Sequence, residues 1–384
     1  MQSFSKLALI LFFAAAMPVS ANLIAGNNWE KVSPEKEILT SVDSVQPVFS
    51  LQIFAWDKSE PNSNKLLDVS SLSTTAVPVS ASLGVSEQGR IIEAYYFPGT
   101  SSNRAIVIGG MHGSELSSVT LARQLISELM RGKRIYYSVI VIPSLFPDNA
   151  HAAVSRPELL GTVHNIGRYS SKSAPDPNRQ MPSIGKWHHE EEMLDHMGRK
   201  IEHENSLLLN LIKEFRPERI ANLHAIRDTL HAGIFADPRT NNKGIALGFE
   251  SDSALAVQMA TLIHTNGGSA GGNRIASKPT ALYHKDPPVA ARGTFQARTF
   301  CGAKLPGNRG AGVSLGSWAS TSVEDDKDPE NNRPAIRLFT VEFPGYRPPS
   351  FYQQPIQKVR AENNIQLYVA SLLNIFLQDY YAEL

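Results

Sequence analysis

The chain has 384 residues, with Lys+Arg at 37 against Asp+Glu at 36, a formal charge of +1, and a single cysteine, Cys301. So even a balance argues against nucleic acid as a partner, because phosphate recognition needs a basic surplus. One cysteine makes no internal disulfide, so stability has to come from a hydrophobic core, which a chain of this length can bury. Cys301 itself is expected to be a small buried hydrophobe.

Residues 1–21 carry one cation, Lys6, then the uncharged apolar run 7–17, then Pro18-Val19-Ser20-Ala21 with small residues at 19 and 21. This is the pattern of a secretory signal peptide cut after Ala21. The apolar run falls short of the roughly 20 residues that span a bilayer. The mature chain is therefore expected to be exported, periplasmic or secreted, without a membrane anchor, and loss of Lys6 brings its formal charge to zero. Residues 22–80 are rich in Ser, Pro, Asn and Thr, with one strand-like patch at 47–56, and are taken as an N-terminal extension of no assigned role. Residues 81–384 form the remaining domain.

Within that domain the pattern alternates between strand and helix. Residues 91–97, 105–108 and 135–142 have strand character, the last stopped by Pro143, and 116–130 has helical spacing. Residues 184–215 are predicted as a long polar helix or helix pair, 221–223 as a short strand and 254–265 as a helix. Residues 266–334 have little periodicity and are expected to form long loops around a cleft. Residues 338–343 return as a strand, and 365–381 close the chain as a helix. Alternation of this kind predicts an α/β fold with a mixed, mostly parallel central sheet covered by helices on both faces, and ligands at the carboxyl ends of its strands.

One strand-to-helix junction carries chemistry. The run Ala105-Ile106-Val107-Ile108-Gly109-Gly110 leads into His112-Gly113-Ser114-Glu115 and then into the helical stretch. An isolated H-x-x-E pair is most simply a turn histidine and a glutamate favoured by the helix dipole. Here Gly109, Gly110 and Gly113 surround it, residues that allow a sharp turn and close backbone approach. Hydrolytic zinc sites favour two histidines, one glutamate and an open position for water, and His224 stands at another strand end, in Ala221-Asn222-Leu223-His224. Bound zinc still needs a base to take the proton of the attacking water. Glu342, at the end of the strand Leu338-Phe339-Thr340-Val341, is the candidate, since a charge there is expensive to bury without a task or a partner.

Two further H-x-x-E pairs, His188/Glu191 and His189/Glu192, follow no apolar strand and read as a solvated helix face. Gly312-Val313-Ser314-Leu315-Gly316 matches the G-x-S-x-G nucleophile elbow, which needs an acid and then a histidine later in the chain. The last histidine is His284, so the serine-hydrolase reading fails on the order of its parts.

Several separated blocks resemble the zinc metallocarboxypeptidases: Leu83-Gly84-Val85-Ser86-Glu87-Gln88-Gly89-Arg90-Ile91-Ile92, His112-Gly113-Ser114-Glu115, Pro143-Ser144-Leu145-Phe146-Pro147-Asp148-Asn149, Asp176-Pro177-Asn178-Arg179-Gln180-Met181-Pro182, His224 and Glu342. The resemblance runs from about residue 83 to the C-terminus. It implies one Zn2+ per chain held by His112, Glu115 and His224, Glu342 as the catalytic carboxylate, and Asn178 and Arg179 holding the substrate's free carboxylate in a bidentate grip. Arg168 best matches the arginine that steadies the oxyanion, with Arg227 as its rival. Gln180 and Met181 depart from the family's asparagine and aromatic. Val313-Ser314-Leu315-Gly316-Ser317-Trp318-Ala319, before Thr340-Val341-Glu342-Phe343-Pro344, looks most like the bacterial murein peptide amidases, and makes Trp318 a candidate substrate contact. The resemblance therefore implies a peptide substrate with a free carboxylate, a cell-wall peptide that releases diaminopimelate. Two other readings stay open at this point: an acylamino-acid deacylase of the aspartoacylase type, and a non-catalytic envelope protein that binds peptide.

Overall fold

In a computed structural model, residues 65–162, 164, 166–187, 193–275, 309–326 and 328–379 are described. The segment 1–21, the patch 47–56, the histidine-glutamate run 188–192 and Cys301 lie outside them.

Seven strands among the described residues form one sheet in the order β1-β2-β4-β3-β5-β7-β6. They are β1 (Val79–Val85), β2 (Ile91–Phe97), β3 (Arg104–Ile108), β4 (Ser138–Ile142), β5 (Arg219–Ile226), β6 (Gly233–Ala236) and β7 (Arg337–Pro344). The central four, β4-β3-β5-β7, run parallel, while β1, β2 and β6 pair antiparallel at the two edges. The fold is therefore the mixed, centrally parallel α/β sheet that the alternation of signals predicts.

Period-two burial explains why both faces carry helices. Ala105, Val107, Val139, Val141, Ala221, Leu223, Phe339 and Val341 enter one core, against helices α1 (Leu116–Met130), α4 (Phe249–Thr265) and α6 (Pro355–Ser371). Ile106, Ile108, Ile140, Ile142, Ile220 and Leu338 enter the other, against α3 (His203–Phe215) and the short helix α5 (Leu315–Ala319). Pro147 opens the remaining short helix, α2 (Pro147–Ser155), where its fixed φ and missing N–H suit the first turn. No helix among the described residues is long and apolar enough to cross a membrane.

The structure departs from the expected elements in three places. Residues 193–200 form a turn, with Leu194 bridged to Lys200, and α3 starts only at His203. Asp195 accepts the N–H groups of Met197 and Arg199, and Gly198 sits at φ 72°, so the local backbone bonds go to a turn instead of a helix. The C-terminal helix starts ten residues before the apolar stretch that marks it, at Pro355. At the other end, the body reaches back before residue 81: Leu72 is buried, and its carbonyl accepts the Tyr96 hydroxyl at 3.1 Å.

Candidate metal centre

The sharp turn after β3 needs its glycines. A Cβ on Gly113 would lie 2.2 Å from the Ala150 amide nitrogen, so only glycine lets the turn press against α2. Glu115 then caps α1, its N–H bonded to the His112 carbonyl at 3.0 Å and its own carbonyl accepting the Ser118 hydroxyl. Backbone and helix start together hold the imidazole and the carboxylate on one side of the turn.

His112, Glu115 and His224 converge, each offering a ligand atom within 4.8 Å of the others. All three are buried, at 4–5% exposure. His112 Nδ1 lies 3.0 Å from Glu115 Oε1, and His224 Nδ1 lies 3.0 Å from Glu115 Oε2, which also accepts the Ala225 N–H. The far nitrogens are held too: His112 Nε2 is 2.8 Å from Asp176 Oδ1, and His224 Nε2 is 3.4 Å from Asn178 Nδ2. Two imidazole nitrogens turned to one carboxylate, with one ring backed by a second carboxylate, is a donor set suited to zinc, and the outer carboxylate fixes tautomer and ring orientation. The residues present fit the ion.

Charge in this pocket is tightly coupled. Burial and Arg168 pull the His112 pKa down, but Asp176 and Glu115 outweigh them and raise it. Burial alone would raise the Glu115 pKa, yet His112 and His224 hold it well below its ordinary value. Asp176 is likewise pushed up by burial and held far down by His112 and Arg168.

Arg168 donates from Nη1 to Glu115 Oε1 at 2.9 Å and reaches Asp176 Oδ2 at 3.4 Å. It faces the cleft. Arg227 is exposed and directed to the Gly161 carbonyl, so of the two arginines the fold brings only Arg168 to the site. Asn178, Arg179 and Glu342 line the same cleft, of about 440 Å³, together with Asp237, Ser314 and Thr340. Glu342 is the register partner of His224 across β5 and β7.

Trp318 is not at the cleft. Its indole is fully buried, donates to the Lys186 carbonyl at 3.0 Å, and packs against the Trp187 ring and the Arg333 guanidinium. The candidate contact is corrected to a core residue that supports α5. Ser314, the serine of the elbow-like motif, accepts the Ser317 N–H as the N-cap of α5 and points its hydroxyl to Ser317 Oγ. Two residues of the site are given no role by the motifs alone. Asp176 precedes the Asn178-Arg179 pair but meets His112 only through a contact 64 positions apart. Asp237 follows β6, a strand too short to show as a pattern, and accepts the Thr340 hydroxyl at 3.1 Å.

No family model and no curated protein matches the sequence. Among solved structures, the chain is similar to carboxypeptidase A from Helicoverpa armigera, at 14% identity and TM-score 0.46, covering 85% of this chain and 80% of that one. Bovine thrombin-activatable fibrinolysis inhibitor, in complex with tick carboxypeptidase inhibitor, matches at 11% identity and TM-score 0.46, covering 80% and 94%. A murein-tripeptide amidase from Escherichia coli O157 matches at 16% identity and TM-score 0.36, covering 76% and 94%.

Proposed function

We propose that the chain is an exported, zinc-dependent exopeptidase of the metallocarboxypeptidase type, acting on a cell-wall peptide with a free carboxylate and releasing diaminopimelate. The observation that carries the reading is the convergence of His112, Glu115 and His224 in one cleft with Glu342, Asn178 and Arg179. A zinc ion bound by the three ligands would supply Lewis acidity and a water made acidic enough to lose its proton near neutral pH.

The protein's own groups then have separable tasks. Glu342, beside His224 and partly open to the cleft, takes the proton of the attacking water at its carboxylate and passes it to the departing amine. Arg168, held against Glu115 and Asp176, places a fixed cation where negative charge develops on the carbonyl oxygen. Asn178 and Arg179 bind the terminal carboxylate, which makes the reaction exo-acting. Diaminopimelate is a terminal residue whose side chain ends in an ammonium and a carboxylate. The Asp237 carboxylate, in the same cleft as Arg179, gives that ammonium a partner.

Incubation of the purified protein with a murein tripeptide, ordinary C-terminal peptides and N-acyl amino acids tests the reading. Diaminopimelate, detected by mass, is the expected product. Preferred cleavage of N-acyl amino acids would replace this reading with the deacylase one, and zinc binding without any turnover would replace it with a peptide-binding protein.

A further inference from the structure

Arg199 lies outside the cleft lining and outside every sequence motif, yet one guanidinium joins the two strips of chain that form the cleft wall. Its Nη2 donates to the carbonyl of Arg179 at 3.0 Å and to the carbonyl of Ala311 at 2.9 Å. Its Nε is held by Asp195 Oδ2 at 2.7 Å. Asp195 is in turn buried, and its other oxygen accepts the N–H groups of Met197 and Arg199. The cation is therefore held along one edge, Nε and Nη2, by a carboxylate on its own turn, while Nη2 also meets two carbonyls from distant segments.

Those segments touch at several points. Met181 N–H donates to the Val313 carbonyl at 3.2 Å, and Asp176 N–H donates to the Arg309 carbonyl at 2.9 Å. Gly312, at φ 126°, approaches so closely that a Cβ there would stand 2.1 Å from the Arg179 carbonyl and 2.9 Å from Arg199 Nη2. Leu315 N–H donates to Asn178 Oδ1 at 3.2 Å. The strip with Asn178 and Arg179 is thus registered against the strip with Ser314 and Gly316, and Arg199 is the charged tie between them. A carbonyl bonded to a held cation resists rotation, which steadies the backbone next to the Cα that bears the Arg179 side chain. Outer groups of this kind set the geometry of the residues that touch a ligand.

We propose that Arg199, locked by Asp195, is a positioning residue that fixes the pose of Arg179 and so the grip on the substrate's terminal carboxylate. The proposal rests on the role given to Arg179 above. It also explains an ion pair built on a turn away from the reaction: its work is on KM, through a backbone carbonyl, and not on the bond that breaks.

The test is a double-mutant cycle on the full chain with zinc bound, using whichever peptide of the panel the wild type hydrolyses, with folding followed by circular dichroism. Arg179→Gln and Arg199→Gln are each expected to raise KM, the latter roughly tenfold, the lower end of what loss of an outer partner costs, with kcat within about twofold. The double variant is expected to be no worse than Arg179→Gln alone, since both changes remove one interaction. Arg199→Lys, which keeps a cation able to reach a carbonyl, should recover part of the loss and also serves if the glutamine variant fails to fold. A folded Arg199 variant with unchanged KM, or with losses that add to those of Arg179→Gln, overturns the proposal while leaving Arg179 in place. An unchanged KM in Arg179→Gln overturns the role of Arg179 and this proposal with it, as does absence of hydrolysis by the wild type.

Discussion

His224 and Glu342 are register partners on adjacent parallel strands, β5 and β7. Paired residues of neighbouring strands point to the same face, about 4.8 Å apart from strand to strand. Along β7, Phe339, Val341 and Phe343 are buried while Thr340 and Glu342 are turned to the cleft. The strand that delivers the last ligand thus has the candidate base set beside it by sheet register alone, with no loop to position it. Glu342→Gln keeps the shape and removes the proton acceptor. Turnover is expected to fall roughly 10²-fold or more, the scale for loss of a general base, with metal content unchanged. Metal analysis and kcat on the same preparation check this, and a variant that still turns over at the wild-type rate ends the role.

Asp176 offers a second, separable test. Its Oδ1 is 2.8 Å from His112 Nε2, on the side of the ring away from Glu115. Asp176→Ala leaves all three ligands in place but frees the ring to rotate and to change tautomer. Zinc affinity, read by competition with a chelator, is expected to drop about 10- to 100-fold. Affinity equal to the wild type would show that the ring is held by its other contacts.

How far the sequence goes depends on the range of the interaction that decides each feature. That His112, Glu115, His224 and Glu342 meet at one cleft is legible because strand ends and a glycine-rich turn are local patterns, and the sheet does the rest. Helix α1 falls on the stretch its spacing marks, since its apolar face repeats over four turns. The turn at 193–200 is not legible in that way: a buried Asp195 collecting amide groups overrides a helix-like run of charges. Trp318 reads as a pocket wall because it sits in a loop near the catalytic block, and only the packed structure shows Trp187, Lys186 and Arg333 enclosing its ring. Asp237 and Arg199 make their contacts with distant segments, which leave no local spacing to find.

Protons and zinc compete for the same side chains, which gives metal binding a defined pH dependence. In the metal-free fold the His112 pKa, lowered by burial and Arg168 but raised more by Asp176 and Glu115, stands above 6.5. That shift adds stability below 6.5, which is lost as pH rises through the raised value. Glu115, raised by burial but held well below 4.5 by the two histidines, adds stability above 4.5, which is lost as pH falls through its depressed value. The metal-free protein therefore draws most from these groups between 4.5 and 6.5, where protonated His112 opposes the ion. The rise in Tm on adding zinc is expected to be small in that window and to grow as pH is raised beyond it. A zinc-induced shift that is the same at every pH would contradict the coupling.

Under the proposed function, Asp237 is the residue that would separate a general exopeptidase from one tuned to an ammonium-bearing end group. Its carboxylate is fixed by the Thr340 hydroxyl, and it packs so closely on Gly316 that a Cβ there would lie 2.6 Å from Oδ2. Arg179, in the same cleft, feels its charge. Asp237→Asn keeps the size and removes the charge that an ammonium would meet. A hydrogen bond to a charged group contributes about 1.5–3 kcal/mol, so KM for a peptide ending in diaminopimelate should rise about 10- to 100-fold. A peptide ending in a neutral residue should show little change, because nothing on it pairs with that carboxylate. The comparison of the two substrates in one variant carries the test: equal effects on both would make Asp237 a structural support for Arg179, and a larger effect on the neutral peptide would remove the ammonium site altogether.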